Sequence, residues 1–232
     1  MKKVFIITGT SNGIGRYLAE YFLAEGHMVA GCSRGKSKIK DSNYNHYQLS
    51  VDKEDEVISM VKTVFKKHGR IDVLLNNAGI ASTNHILTTS FKSTKNIFDT
   101  NFFGTFLFSR EVAKVMIKKN IGNIVNFTTI AVPMILEGEA IYAASKSAIE
   151  NFTKVSAKEL GKFGIRVNAI GPTPVATNLI KNIKKDKIDN LIKKQTISRL
   201  GKFEDIINVI NFFINKKSDF ITGQVIYLGG VN

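Results

Sequence analysis

Short apolar runs alternate along this chain with longer stretches whose apolar residues recur at helical spacing. The runs "KVFIIT" (3–8), "MVAGCS" (28–33), "HYQLSV" (46–51), "IDVLLNN" (71–77), "GNIVNFTT" (122–129), "IRVNAIG" (165–171) and "QVIYLGG" (224–230) each read as a strand. Segments 13–26, 54–69, 95–119, 141–163 and 203–216 read as helices. Apolar strands alternating with helices imply an α/β fold, a doubly wound parallel sheet of about seven strands covered on both faces. The regular spacing leaves no linker, repeat or low-complexity tract, so residues 1–232 are expected to form one domain. Binding is expected at the carboxyl ends of the strands. The lysine-rich segment 175–200 reads as a helical insertion on the substrate side, a lid.

Composition narrows the class without naming a function. Hydrophobic residues make up 44% of the 232, enough for a large core and too many for a disordered chain. The single cysteine, Cys32, excludes an internal disulfide and suits a reducing cytosol. The four histidines are scattered, and no Cys/His cluster has metal-ligand spacing, so no metal is expected. The start "MKKVFIITGT" has an apolar run too short for a signal peptide, and no segment reaches the roughly 18 apolar residues of a membrane span. A cytoplasmic protein with no membrane partner is expected. The net charge of +14 comes from lysines spread over helical segments, not from a basic run interleaved with aromatics. It therefore predicts no specific nucleic-acid partner.

Two stretches carry candidate chemistry. "TGTSNGIG" (8–15) joins the first strand to the first helix. Gly9, Gly13 and Gly15 permit a tight turn and close approach to phosphate, with Ser11, Asn12 and Ile14 beside them at a helix N-terminus. In "AIYAASKSAIENF", Tyr142 and Lys146 are four apart and share one face of the predicted helix. A free tyrosine has a pKa of about 10, and a nearby ammonium favours the phenolate. A hydroxyl, Thr129, precedes the tyrosine at the end of a predicted strand.

The G-x-x-x-G-x-G spacing, "NNAG" (76–79), Asn101 in "TNFFG", Tyr142-x-x-x-Lys146 and the ending "ITGQVIYLGG" together resemble the short-chain dehydrogenase/reductase family over essentially the whole chain. The resemblance implies a Rossmann-type fold, a nicotinamide cofactor and a homotetramer or dimer, associating through the helices near 95–119 and 141–163. It implies Tyr142 as acid/base and Lys146 as its tuner and a ligand of the nicotinamide ribose. Thr129 stands in the place of the catalytic serine, and Asn101 would hold a relay water. It also implies that Ser50 and Val51 edge the adenine, that Asn77, Ala78 and Gly79 line the ribose side, and that Pro172, Val175 and Thr177 lie at the nicotinamide. Thr173 stands where the family usually has glycine.

Cofactor and substrate follow in part from the same comparison. The second strand ends in Ser33 and Arg34, where an NAD site generally carries a carboxylate for the ribose 2′-hydroxyl. A guanidinium pairs with a 2′-phosphate that a carboxylate would repel, so NADP(H) is favoured over NAD(H). "YAASKSAI" and "SRLGKFEDI" are similar to the 3-oxoacyl-(acyl-carrier-protein) reductases, which implies a thioester-linked carbonyl substrate. "PMILEGE" (133–139) lacks the glycine-rich sequence common there, and Asn120 and Phe163 replace the docking arginines. That leaves open a specialised enzyme acting on a sugar-derived or other small ketone or alcohol. A non-catalytic dinucleotide sensor or scaffold is the alternative from another class. Phe91, Met134, Ile135, Leu136 and Leu179 are candidate linings of the substrate mouth.

Overall fold

The structure, a computed structural model, describes residues 2–175 and 185–231. Seven strands form one parallel sheet in the order β3-β2-β1-β4-β5-β6-β7. They are β1 (Val4–Thr8), β2 (Met28–Ser33), β3 (Tyr44–Gln48), β4 (Val73–Asn76), β5 (Gly122–Phe127), β6 (Ile165–Gly171) and β7 (Val225–Tyr227). The helices are α1 (Gly13–Ala24), α2 (Glu54–His68), α3 (Phe91–Phe98), α4 (Gly104–Met116), α5 (Ala140–Gly161), α6 (Lys185–Lys193) and α7 (Phe203–Ile214). Strand order reverses between β1 and β4, so connections leave those two strands in opposite directions and open a crevice at their carboxyl ends.

The apolar pattern explains the layers. Every residue of β1 is buried, because helices cover both faces of the sheet. On one side Ile6, Leu74 and Ile124 meet Val57 and Val61 of α2 and Phe108 and Val112 of α4. On the other side Phe5, Ile7 and Val125 meet Leu18 and Phe22 of α1 and Ile206, Ile210 and Phe213 of α7. α2 has Glu54, Asp55 and Glu56 in its first turn and Lys66, Lys67 and His68 in its last, matching the helix dipole. Among the described residues no helix is long and apolar enough to cross a membrane.

Element boundaries differ from the sequence pattern in several places. The third strand begins two residues earlier, at Tyr44, because pairing with β2 runs from Val29↔Tyr44 to Ser33↔Gln48. The segment expected as one helix over 95–119 begins at Phe91 and is interrupted by a π-turn at Asp99–Phe103 before α4. Asn101 sits in that turn with its side chain bonded to Ile80, which takes up the extra residue. Within the 175–200 insertion, Lys185–Lys193 is helical, while Thr177 and Leu179 lie outside the described residues.

Candidate active site

β1 delivers the glycine turn to the crevice. Gly9 has φ 78°, and a Cβ there would lie 2.8 Å from Asn77 Nδ2 and 3.0 Å from Ala78 Cα. A Cβ on Gly15 would overlap the Gly9 carbonyl and the Asn77 amide. The turn is therefore packed directly on the "NNAG" segment. Asn77 Nδ2 donates to Thr8 O (2.8 Å), and Ala78 N donates to Thr8 Oγ1 (2.9 Å). At the N-cap of α1 the Asn12 side chain makes no capping bond, and the first turn holds no acid. Its N–H groups and positive dipole end thus remain available to an anion.

A cleft of about 870 Å³ runs along the carboxyl ends of the strands. Ser11, Asn12, Gly13 and Ile14 line it at the turn, Ser33 and Arg34 at one edge, and Ser50 and Val51 beside them. Asn77, Ala78 and Gly79 form its floor towards Thr129, Tyr142 and Lys146, with Pro172, Thr173 and Val175 opposite. Arg34 is exposed and, among the described residues, has no hydrogen-bond or ion-pair partner. Ser33 Oγ donates to Gly35 O at 2.8 Å. Ser50 N donates to Glu56 (2.9 Å), and its hydroxyl donates to Asp52. The glycine cradle, the unspent helix N-terminus and the free guanidinium fit a dinucleotide with an added phosphate.

The end of the cleft that holds Tyr142 and Lys146 is built by the segment after β5 and by α5. Tyr142 stands one helical turn before Lys146, as their spacing requires. The Thr129 hydroxyl hydrogen-bonds the Tyr142 side chain and accepts from Ala131 N at 3.2 Å. Thr128 points elsewhere, its hydroxyl donating to the buried Glu150 carboxylate. Burial pushes the Tyr142 phenol up to about 12; the Thr129 hydrogen bond opposes this and the Glu139 carboxylate adds to it. This differs from the expected depression by Lys146. The lysine is 4% exposed, its Nζ donates to Phe127 O at 2.7 Å, and burial lowers its own pKa to about 8. Desolvation is the largest cause of the Tyr142 shift and the cause of the Lys146 shift.

Asn101 and Gly15 stand behind the cleft wall rather than on it. Asn101 Oδ1 accepts from Ile80 N (2.8 Å), and Nδ2 donates to Ile80 O (3.0 Å) and Ser145 Oγ (3.0 Å). A Cβ on Gly79 would lie 3.3 Å from both Asn101 Oδ1 and Lys146 Nζ, so these two groups face each other across its bare Cα. Thr173 is buried and donates to Gln195 Oε1 at 2.6 Å. Of the candidate mouth residues described, Leu136 lines the cleft. Phe91 is 82% and Ile135 87% exposed, and neither these nor Met134 is on the wall. Sequence reasoning missed Thr8, Ile80, Ser145 and Glu150. Each acts through a contact distant along the chain, and no local spacing marks it.

A family model described as enoyl-(acyl carrier protein) reductase matches residues 9–232. The 3-oxoacyl-(acyl-carrier-protein) reductase FabG of Staphylococcus epidermidis is 34% identical over 240 residues, covering 99% of this chain and 98% of that protein. Among solved structures, ElxO with NADP bound superposes with a TM-score of 0.91 at 32% identity, covering 99% of this chain and 98% of that one. Thermoplasma acidophilum aldohexose dehydrogenase, in ligand-free form, gives 0.89 at 31%, covering 99% and 93%. The chain belongs to the short-chain dehydrogenase/reductase family. It is an oxidoreductase of that family, as its glycine turn and Tyr142-x-x-x-Lys146 face indicated.

Proposed function

We propose that this chain is an NADP(H)-dependent oxidoreductase that reduces a carbonyl to an alcohol, or runs the reverse, with a 3-oxoacyl thioester as the first substrate class. The observation that carries the reading is one cleft with Arg34, which has no partner among the described residues, near one end and Tyr142, Thr129 and Lys146 at the other. Relatives at this likeness are named as 3-oxoacyl reductases, and a structural relative binds NADP.

The nicotinamide, when bound, supplies or accepts the hydride at the carbonyl carbon. Tyr142 donates the proton to the carbonyl oxygen; with its pKa near 12 the phenol is protonated throughout the neutral range. The Thr129 hydroxyl orients the same oxygen by hydrogen bonding. Lys146 holds the ribose hydroxyls and, across Gly79, forms with Asn101 the start of a proton path. Running as an oxidation, the site needs phenolate, so the reverse rate rises with pH while reduction does not. Gly9, Gly13, Ser11, Asn12 and Ile14 hold the pyrophosphate side with Gly15 packed behind them, Ser33 and Arg34 the 2′-phosphate, and Ser50 and Val51 the adenine. Thr177 lies outside the described residues and keeps its family-implied place at the carboxamide.

The chain also self-associates on this reading. Phe102 and Phe103 of the π-turn, Phe106 of α4 and Phe152 of α5 form a ring-to-ring cluster, with Phe103 47% exposed. A second copy would cover such a face. Cys32, buried and free, suits a reducing cytosol. A second substrate reading, a sugar-derived ketone or alcohol, is favoured by the entrance: Leu136 lines the cleft from the segment 133–139, which lacks the glycine-rich sequence common in the 3-oxoacyl reductases. The likeness to an aldohexose dehydrogenase points the same way.

The test is NADPH oxidation with acetoacetyl thioester, NADH and Tyr142→Phe serving as controls. Turnover with NADPH, reduced in the variant by about a thousandfold or more at unchanged cofactor affinity, supports the reading. Tight NADPH binding without turnover of thioesters, sugars or alcohols would leave a dinucleotide sensor.

A further inference from the structure

β3, at the sheet edge, carries a polar cluster that the chemistry above does not use. The Tyr44 hydroxyl lies 2.9 Å from Thr10 Oγ1 and 3.0 Å from His46 Nδ1, and it is also hydrogen-bonded by the Ser37 side chain. His46 Nε2 is 2.9 Å from the Gly35 carbonyl oxygen. A carbonyl only accepts, so Nε2 carries the proton; in the neutral ring Nδ1 then accepts from Tyr44. Burial raises the Tyr44 pKa, which keeps that donor in place. Ser33 Oγ donates to the same Gly35 oxygen, and Ile39 N donates to Ser37 Oγ. A Cβ on Gly31 would lie 2.5 Å from both Thr10 Oγ1 and the Tyr44 oxygen, so the bare backbone of β2 makes room for their meeting.

One phenol therefore ties the glycine turn, at Thr10, to the loop that follows β2, at Ser37 and, through His46, at Gly35. Arg34 sits between the two anchored residues Ser33 and Gly35. Its own side chain has no partner among the described residues, so its direction depends on the backbone these bonds hold. Neither Tyr44 nor His46 lines the cleft. We propose that Tyr44 and His46 are positioning residues for cofactor choice, holding the Ser33–Gly35 backbone so that Arg34 meets a phosphate on the adenosine 2′-oxygen. The inference rests on the NADP(H) reading.

The experiment measures dissociation constants of the purified full chain for NADPH and NADH by nucleotide fluorescence, and for adenosine 2′,5′-bisphosphate and AMP by calorimetry. Tyr44→Phe, which keeps the ring and deletes the shared hydroxyl, should weaken NADPH by about fivefold, about 1 kcal/mol, and NADH by less than about twofold. The bisphosphate should follow NADPH, and AMP should follow NADH. His46→Phe should do the same, and His46→Gln, which keeps an N–H for the Gly35 carbonyl, should recover part of the loss. Equal weakening of NADPH and NADH would mean that the cluster serves only the fold and would overturn the proposal. A wild-type preference for NADPH that both variants retain would overturn it alone. A wild type that binds NADPH no more tightly than NADH would overturn it together with the cofactor reading.

Discussion

Lys146→Met should make this protein more stable at neutral pH while abolishing its activity. The ammonium is almost fully buried, and burial lowers its pKa from 10.5 to about 8. A shift of that size is about 3 kcal/mol of stability at pH 7, where the folded and unfolded chains both carry the proton. For a cation with a depressed folded pKa, the unfolded chain binds more protons between pH 8 and 10.5. Stability from this group is therefore complete above 10.5 and is lost as pH falls through 8. Methionine fills a similar volume without a charge, but it leaves the Phe127 carbonyl without its donor, at a cost of about 1–2 kcal/mol. The net gain at pH 7 is about 1–2 kcal/mol. At pH 10 the lysine costs under about 1 kcal/mol and the advantage should vanish. Urea unfolding of both proteins at pH 7 and pH 10 reads this directly. A variant less stable than wild type at pH 7, or a difference that does not change with pH, would refute the reasoning.

Two further outcomes follow from the same packing. Gly15→Ala should weaken NADPH binding by about tenfold or more, because its Cβ overlaps the Gly9 carbonyl and Asn77; unchanged affinity in a fluorescence titration would mean the turn relaxes without loss. Glu150→Ala should lower stability by about 2–4 kcal/mol in thermal or urea unfolding, since the Thr128 and Tyr227 hydroxyls both lose their buried acceptor. Glu150→Gln should lose less.

The architecture and two local features of the candidate site were legible along the chain. Buried strands such as "VFIIT" and amphipathic helices such as α2 announce themselves through local periodicity, which depends only on which face each residue turns to the core. The glycine turn and the Tyr142–Lys146 face were legible for the same reason, since both are set within a few residues of chain. Tertiary structure alone decided the electrostatics and the long-range supports. That Tyr142 rises to about 12, where its neighbour suggested a fall, is a consequence of burial, which no spacing encodes. The break in the long helix at Asn101 answers to Ile80, 21 residues earlier. Thr10 meets Tyr44 only because β3 pairs with β2 at a register that puts both over Gly31. Hydrogen bonds between residues distant in sequence are fixed by sheet order and register, and these exist only once the chain has folded.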